Sequence, residues 1–268
     1  MKVLAIGDVV GKDSVTFLQQ ELPKLKRSHA IDVCVVNGEN AADGNGITPS
    51  AVKDLFLCGA DVITTGNHAF RRKESYDTYE DTDCLLRPAN YPDGCPGHGI
   101  CRVDKGRYQV GIINLMGTTY MEPLENPFLK VDSLLQELAD CRILLVDFHA
   151  EATSEKRAMG FYLDGRVSAV YGTHTHVQTA DEQILPSGTG YMTDLGMTGP
   201  VHSVLGVDPQ IVIHKFKTNL PARFDYEKNS PLMLNGCIFE IDEKTGRCTR
   251  CQRICLQQEK SAGKEALR

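Results

Sequence analysis

The chain lacks a basic surplus. Its 29 lysines and arginines are outnumbered by 35 aspartates and glutamates, which gives a net charge of -6 at pH 7. A protein that mainly coats DNA or RNA usually carries an excess of basic residues. The sequence therefore argues against that class, whereas small phosphorylated substrates are compatible with it.

Long apolar segments are also missing. No uninterrupted apolar stretch approaches the roughly 20 residues that a membrane-spanning helix needs. The first residues, MKVLAIGDVVG, contain one lysine and a short apolar run that meets Asp8, which predicts a first strand rather than a secretory signal. We expect a cytoplasmic protein whose ten cysteines are mostly reduced and buried.

Three cysteines near the end of the chain lack the partners of a metal site. Cys248 and Cys251 have the spacing of zinc ligands, and Cys255 follows them. A four-ligand site would need a second pair or a nearby histidine, which the surrounding sequence does not supply. The pattern favours residues of a late strand over a structural zinc or cluster.

Signs of a domain boundary are absent as well. The sequence has no internal repeat, no low-complexity stretch and no linker rich in proline, glycine and serine. We therefore predict a single domain over residues 1–268. Its polar tail, near 257–268, is expected to be frayed.

What the sequence does contain is an alternation of short apolar runs and amphipathic segments. This alternation predicts a layered α/β domain with much parallel sheet. Residues 223–255 differ, because strand-like segments there are joined by the turn signals EKNS and EKTG, which predicts added antiparallel strands. The apolar runs cover residues 2–7, 32–37, 60–66, 108–115, 141–148 and 166–172, and helical segments are predicted near 15–25, 50–60, 71–80 and 131–140.

Polar side chains follow five of the predicted strands. Ligands of α/β sheets bind outside the carboxyl ends of the strands, so residues at these positions are candidates for a site. Carboxylates, carboxamides and imidazoles are the ligands of hard to borderline metal ions, and no thiolate is among them. The candidates are Asp8, Glu39, Asn40, Asn67, His68, His149, His174 and His176.

One metal ion does not need so many ligands. Two ions about 3.5 to 4 Å apart, bridged by a carboxylate, use most of the set and suit phosphoryl chemistry, and Glu39 is the natural bridge. Two carboxylates and two divalent ions leave roughly two positive charges, which attract a phosphodiester anion. His68 follows Asn67 directly and cannot easily bind the same ion, so it is better placed to donate to the phosphate or the leaving oxygen.

The motifs GDVVG, NGENA, GNH, FHAEATSEK and GTHTHVQTAD resemble the calcineurin-like metallophosphoesterases, in particular their bacterial YmdB-like branch. That branch includes 2',3'-cyclic-nucleotide phosphodiesterases. The resemblance extends through TDLGMTGP (193–200) and KFKTNLPARF (215–224). It implies a layered α/β metallophosphoesterase-like fold, with central mixed sheets flanked by helices.

The resemblance also implies roles for the candidate residues. His68 takes the position of the catalytic histidine, and two ions are implied, iron by preference with manganese as a substitute. The wider superfamily has Asp-x-His after the first strand, whereas Val10 stands at the histidine position here, and its bridging Asp is replaced by Glu39. The implied ligands are Asp8, Glu39, Asn40 and His176 for one ion, and Glu39, Asn67, His149 and His174 for the other.

The leading hypothesis is therefore a dinuclear metallophosphodiesterase. A metal-bound hydroxide would attack phosphorus in line while His68 assists the leaving oxygen, and 2',3'-cyclic nucleotides, free or at RNA ends, are the implied substrates. Two alternatives stay open. One is a phosphomonoesterase, such as a nucleotidase or a protein phosphatase, with the same metal pair; the other is a metal-containing nucleotide sensor or RNA-associating protein without turnover.

Other polar segments have two interpretations each. Asp194 could support the site from behind or belong to a turn. The basic residues 71–73 could gather an anionic substrate or begin a polar helix. The segment 214–224 could form a phosphate-binding surface, or a solvated or subunit-contacting face of a homo-oligomer. Surface or packing roles are expected for His29, His98, His202 and His214.

Overall fold

Strands and helices alternate along most of the chain, as the sequence predicts. The computed structural model describes residues 1–258, and residues 259–268 of the tail predicted near 257–268 lie outside them. The strands are β1 (Lys2–Ile6), β2 (Asp8–Val9), β3 (Val33–Asn37), β4 (Val62–Thr64), β5 (Leu85–Leu86), β6 (Ile100–Asp104), β7 (Gln109–Met116), β8 (Ile143–His149), β9 (Ala169–Thr173), β10 (Gln183–Ile184), β11 (Gly190–Met192), β12 (Met197–Pro200), β13 (Leu232–Ile241) and β14 (Cys248–Gln257). The helices are α1 (Gly11–His29), α2 (Pro49–Leu57), α3 (Tyr76–Asp81), α4 (Pro127–Glu137), α5 (Thr153–Tyr162) and α6 (Pro209–Thr218).

The strands form two mixed sheets, which confirms the predicted fold class. The first has the order β2-β12-β13-β1-β3-β4-β5, with β14 paired to β13, and the second has the order β10-β11-β9-β8-β7-β6. Strands β1, β3, β4 and β5 are parallel, as are β7, β8, β9 and β11. The late strands β13 and β14 are antiparallel, as predicted, and β13 pairs with β1.

The central strands of each sheet are covered on both faces, which explains why they are largely apolar. In β1, Leu4 and Ile6 pack in a cluster with α1 and α2, whereas Val3 and Ala5 face the second sheet. Successive side chains of a strand point to opposite faces, so both sets must be apolar. Helices α4 and α5 cover the outer face of the second sheet. The layers therefore follow the order helix, sheet, sheet, helix.

The structure differs from the sequence predictions in a few places. The helix predicted at 71–80 begins later, with a short 3-10 helix at Lys73–Ser75 that leads into α3. Gln257, at the start of the predicted frayed tail, is the last residue of β14. Strand β5 was not predicted, because two residues are too few to show a periodic pattern.

All ten cysteines lie within the described residues. Within residues 1–258 none forms a disulfide, and six of the ten are buried. Cys248 and Cys251 lie on β14 with their sulfur atoms 3.6 Å apart, and Cys255 is exposed on the same strand. No cysteine of the described residues belongs to a cluster of three or more metal-ligating side chains. Among the described helices, none is long and apolar enough to cross a membrane.

We propose that the whole chain folds as one domain, because the two sheets share one core. Urea unfolding followed by far-ultraviolet circular dichroism and by tyrosine fluorescence should then give one coincident transition. Leu22→Ala, on the buried face of α1, should lower the free energy of unfolding by about 2 to 5 kcal/mol in both signals. The exposed Leu57→Ala should cost less than about 0.5 kcal/mol. Two separated transitions would contradict a single domain.

Candidate metal centre

The predicted site residues meet where the carboxyl ends of the two sheets come together. Asp8, Glu39, Asn40 and His149 are almost completely buried there. Gly7 allows a close approach at the end of β1, because a Cβ at that position would lie 1.9 Å from the carbonyl oxygen of Gly196. Gly196 directly precedes β12, so the end of β1 lies against the chain that enters this strand of the same sheet.

One group of ligand atoms surrounds the Nε2 atom of His149. This nitrogen lies 3.2 Å from Glu39 Oε1, 3.0 Å from Asn67 Oδ1 and 3.0 Å from His174 Nδ1. Gly66 gives the imidazole room, since a Cβ there would lie 2.1 Å from its ring. A single N–H cannot donate to three neighbours, so these atoms converge on a shared point rather than on one another.

A second group of ligand atoms lies on the other side of Glu39. His176 Nε2 lies 3.6 Å from Asp8 Oδ1 and 3.3 Å from Asn40 Nδ2, and Asn40 Nδ2 lies 3.1 Å from Glu39 Oε1. A half-turn of the Asn40 amide would present its oxygen to the same point and its NH2 group to His68 Nδ1, which can accept a hydrogen bond. Glu39 belongs to both groups, which is the position of a bridging carboxylate.

The side chains fit a pair of cations. Ligand atoms bound to one ion at about 2.0 to 2.2 Å lie roughly 3 to 3.5 Å from each other, which is close to the separations seen in both groups. The fully buried Asp8 Oδ1 has no hydrogen-bond partner among residues 1–258. A buried carboxylate oxygen without a donor is costly, and a bound cation would satisfy it.

His174 and His176 are separated by an unusual backbone. Their φ angles are 96° and 62°, in the left-handed region that residues other than glycine rarely adopt. In an extended strand, residues two apart would point the same way. Here the left-handed turns direct His174 to one ligand group and His176 to the other. Strain of this kind persists at functional sites when the surroundings hold it in place.

Asp194 holds this strained segment from behind. Its Oδ2 atom accepts hydrogen bonds from the Thr175 N–H at 3.2 Å and from the Thr175 hydroxyl at 2.8 Å. The same oxygen pairs with Lys156 Nζ at 2.5 Å, and both charged side chains are buried. The geometry therefore favours the supporting role over a simple turn, since Thr175 lies between the two histidines.

Each ligand histidine has its other ring nitrogen fixed by a neighbour. The Thr173 hydroxyl donates to Asp147 at 2.7 Å, so it accepts from His149 Nδ1, 2.9 Å away, and Nε2 is left for a cation. His176 Nδ1 donates to the Leu205 carbonyl at 3.0 Å. In the same way, His174 Nε2 lies 3.0 Å from Glu151 Oε2.

Several of these supporting residues were missed in the sequence. Asp147 could have been found, because an aspartate inside the apolar run ILLVDF is unusual. Thr173, Glu151 and Leu205 carry no such signal, since their roles depend on which strand ends and turns lie beside the histidines. Hydrogen-bonding partners far apart in the chain are decided by the fold.

Burial and opposing charges determine the pKa values of the site. Burial raises the pKa of Glu39, yet His149 and His68 outweigh this effect and hold it well below its ordinary value. Burial lowers the pKa of His149, whereas Glu39 and Asp8 raise it to about 9. Burial and the charge on His149 lower the pKa of His174 to about 3. Without cations, the site therefore holds charged carboxylates and a proton on His149.

His68 lies at the open side of the two groups. Its Nδ1 is 2.8 Å from Asn40 Oδ1 and 3.3 Å from Glu39 Oε1, and its backbone N–H donates to Glu39 Oε2 at 3.1 Å. With Nδ1 held in this way, Nε2 is the nitrogen available to a substrate. His68 also lines a cleft of about 350 Å³ that opens from the site.

The basic segments weighed in the sequence contribute little to the lining of this cleft within the described residues. Of residues 71–73, Arg72 donates to the carbonyls of Asn45 and Asp43 and so is bonded to a neighbouring loop. The segment 214–224 forms the end of α6 and the loop after it, and only Phe224 of this segment lines the cleft within the described residues. A homo-oligomer through this face stays a prediction. His29, His98, His202 and His214 lie outside the cleft as the structure describes it.

Comparisons with known proteins agree with the resemblance read from the motifs. A family model described as YmdB-like protein matches residues 4–254. The chain is 47% identical to the 2',3'-cyclic-nucleotide 2'-phosphodiesterase of Bacillus subtilis, over 97% of this chain and 98% of the relative. A crystal structure of a hypothetical protein from Thermus thermophilus matches with a TM-score of 0.91 and 38% identity, over 96% of this chain and all of the other. A novel phosphatase of Mycoplasma pneumoniae matches with a TM-score of 0.91 and 34% identity, over 96% and 93% of the two chains.

Protonation of His149 in the absence of a cation predicts that metal binding releases a proton. A cation needs the neutral imidazole, so loading near neutral pH should release about one proton from this residue, and affinity should fall as the pH is lowered. Titration calorimetry with Mn²⁺ in buffers of different ionisation enthalpy measures that release. His202→Ala, a change outside the cleft, should leave the proton count unchanged. A binding heat that does not depend on the buffer would contradict the prediction.

Proposed function

The chain belongs to the YmdB-like protein family, and from that premise we propose that it is a metal-dependent phosphodiesterase that hydrolyses 2',3'-cyclic nucleotides. The observation that carries this proposal is the convergence of two ligand groups on Glu39, with His68 beside them at the open cleft. The name and similarity of the Bacillus subtilis relative support the choice of substrate. The acidic net charge favours free nucleotides over long RNA.

We propose two metal ions as cofactors, iron by preference with manganese as a substitute. The oxygen and nitrogen donors, without a thiolate, support ions of this class. When bound, such a pair supplies a hydroxide near neutral pH and neutralises charge on the phosphoryl oxygens. Asp8, Glu39, Asn40 and His176 would hold one ion, and Glu39, Asn67, His149 and His174 the other.

His68 would move the proton that the reaction requires. Opening the cyclic phosphate at the 2'-oxygen leaves an alkoxide, which is a poor leaving group unless it is protonated. Contacts with Asn40 and Glu39 orient the imidazole through Nδ1. Nε2 would then donate to the 2'-oxygen, which yields a 3'-phosphate.

Substrate and metal dependence can be tested on one preparation. Protein purified without added metal should contain iron or manganese by elemental analysis and should convert 2',3'-cyclic AMP to 3'-AMP. Chelation should abolish turnover and Mn²⁺ should restore it, and His176→Ala should lose metal and activity together. Release of phosphate from 3'-AMP at a similar rate would favour a phosphomonoesterase instead. Binding of 2',3'-cyclic AMP without product would favour a sensor.

The proposed role of His68 as proton donor predicts a large loss of turnover when its imidazole is removed. His68→Ala should reduce kcat by about 10²- to 10⁴-fold, because the leaving oxygen loses its proton donor. The metal content should stay near that of the wild type, since both ligand groups remain. His98→Ala, outside the cleft, is the matched control and should keep full activity. An unchanged kcat in His68→Ala would contradict this role.

A further inference from the structure

The cleft beside the metal centre is lined by two chemically different sets of residues. One set consists of polar residues of the centre, including Glu39, His68 and His176. The other set, here named the apolar wall, consists of Val10, Leu205, Val207, Phe224 and Tyr226. A phosphate group needs only the polar set. We propose that the apolar wall binds the nucleobase of the substrate, an inference that rests on the proposed phosphodiesterase function.

A tight turn fixes the apolar wall relative to the metal ligands. Val204 and Val207 exchange two backbone hydrogen bonds at 2.9 and 3.0 Å, with Leu205 and Gly206 between them at φ angles of 54° and 96°. Two successive positive φ angles make this a tight two-residue turn of the hairpin type. The carbonyl of Leu205 accepts a hydrogen bond from His176. The turn therefore orients this candidate metal ligand and also forms part of the apolar wall.

The neighbouring segment holds Tyr226 rigidly against this turn. Tyr226 pairs with Val207 through a β-bridge. Its hydroxyl accepts from the Asn45 N–H at 3.0 Å and lies 3.0 Å from Asn45 Oδ1. A ring with its polar end already bonded presents an apolar surface to the cleft. Little rotamer freedom would then be lost when a ligand packs against it.

Two members of the apolar wall are more exposed than folding alone would favour. Phe224 is 44% exposed and Leu205 is 46% exposed, although both line the cleft. Lys215 Nζ lies 4.6 Å from the Phe224 ring centroid, which restrains the ring from one side. Exposed apolar groups beside a catalytic centre are typical of a surface that a ligand covers.

The chemistry of the apolar wall defines what it can recognise. Stacking of a base on an aromatic side chain is favourable for every base, since every base has a π-face. The Phe224 ring and the aliphatic side chains of the wall offer no hydrogen-bonding group to a base edge. We therefore expect the wall to favour nucleosides over esters without a base, and purines over the smaller pyrimidines, without selecting one base by its edge.

The test compares Phe224→Ala with the wild type on two substrates. These are 2',3'-cyclic AMP and ribose 2',3'-cyclic phosphate, which has the same reacting group and no base. The variant should lose about 5- to 150-fold in kcat/KM toward the nucleotide, mainly through KM, which is the range expected for one stacked base. Its kcat/KM toward the ester without a base should match that of the wild type. Phe224→Tyr, which keeps the ring, should retain most of the activity toward the nucleotide.

Phe216→Ala is the matched control. Phe216 lies on α6, is 82% exposed and is absent from the cleft lining within the described residues, so both substrates should be turned over as before. Equal losses by Phe224→Ala on both substrates, or no loss on either, would overturn the base-binding role. Absence of cyclic-nucleotide hydrolysis in the wild type would instead overturn the proposed function itself.

Discussion

Two buried carboxylates, Asp8 and Glu39, are the constraint on which the rest of the structure depends. Burying a charge is costly unless positive charge or hydrogen bonds compensate it. The fold surrounds the pair with imidazoles and amides from both sheets, and one oxygen of Asp8 has no hydrogen-bond partner among residues 1–258. Such an arrangement favours cations or protons in the centre, and we therefore expect metal loading and protonation to be linked.

A second set of buried polar residues holds the side chains that surround Asp8 and Glu39. Asp147 accepts from Thr64 on the first sheet and from Thr173 on the second, so it joins the sheets beneath the centre. Asp194 and Lys156 form a buried pair behind the strained histidine segment. Buried polar groups of this kind are tolerated because nearly all are bonded, and they fix the direction of each imidazole. Their hydrogen bonds offset the free-energy cost of burying them, and the imidazoles are held in position before a cation binds.

Much of the fold and of the candidate site could be predicted from local patterns. Apolar runs of strand length alternating with helical periodicity gave the α/β class, because covered parallel strands must be apolar on both faces. Strand ends gave the eight candidates, since ligands gather at carboxyl ends. The two-residue strands β2 and β5 and the position of β13 beside β1 could not be predicted, because short pairings carry no periodic signal.

The sequence by itself determined which chemical groups stand at the strand ends, and therefore the chemistry that the site can support. The family resemblance implied that His174 and His176 divide between two ions, but only the tertiary structure shows the physical basis, a left-handed backbone held by contacts with Asp194 and Leu205. The tertiary structure also decided that Leu205 and Phe224 face the same cleft. Residues remote in the chain become neighbours only when the two sheets pack, and no local pattern encodes that contact.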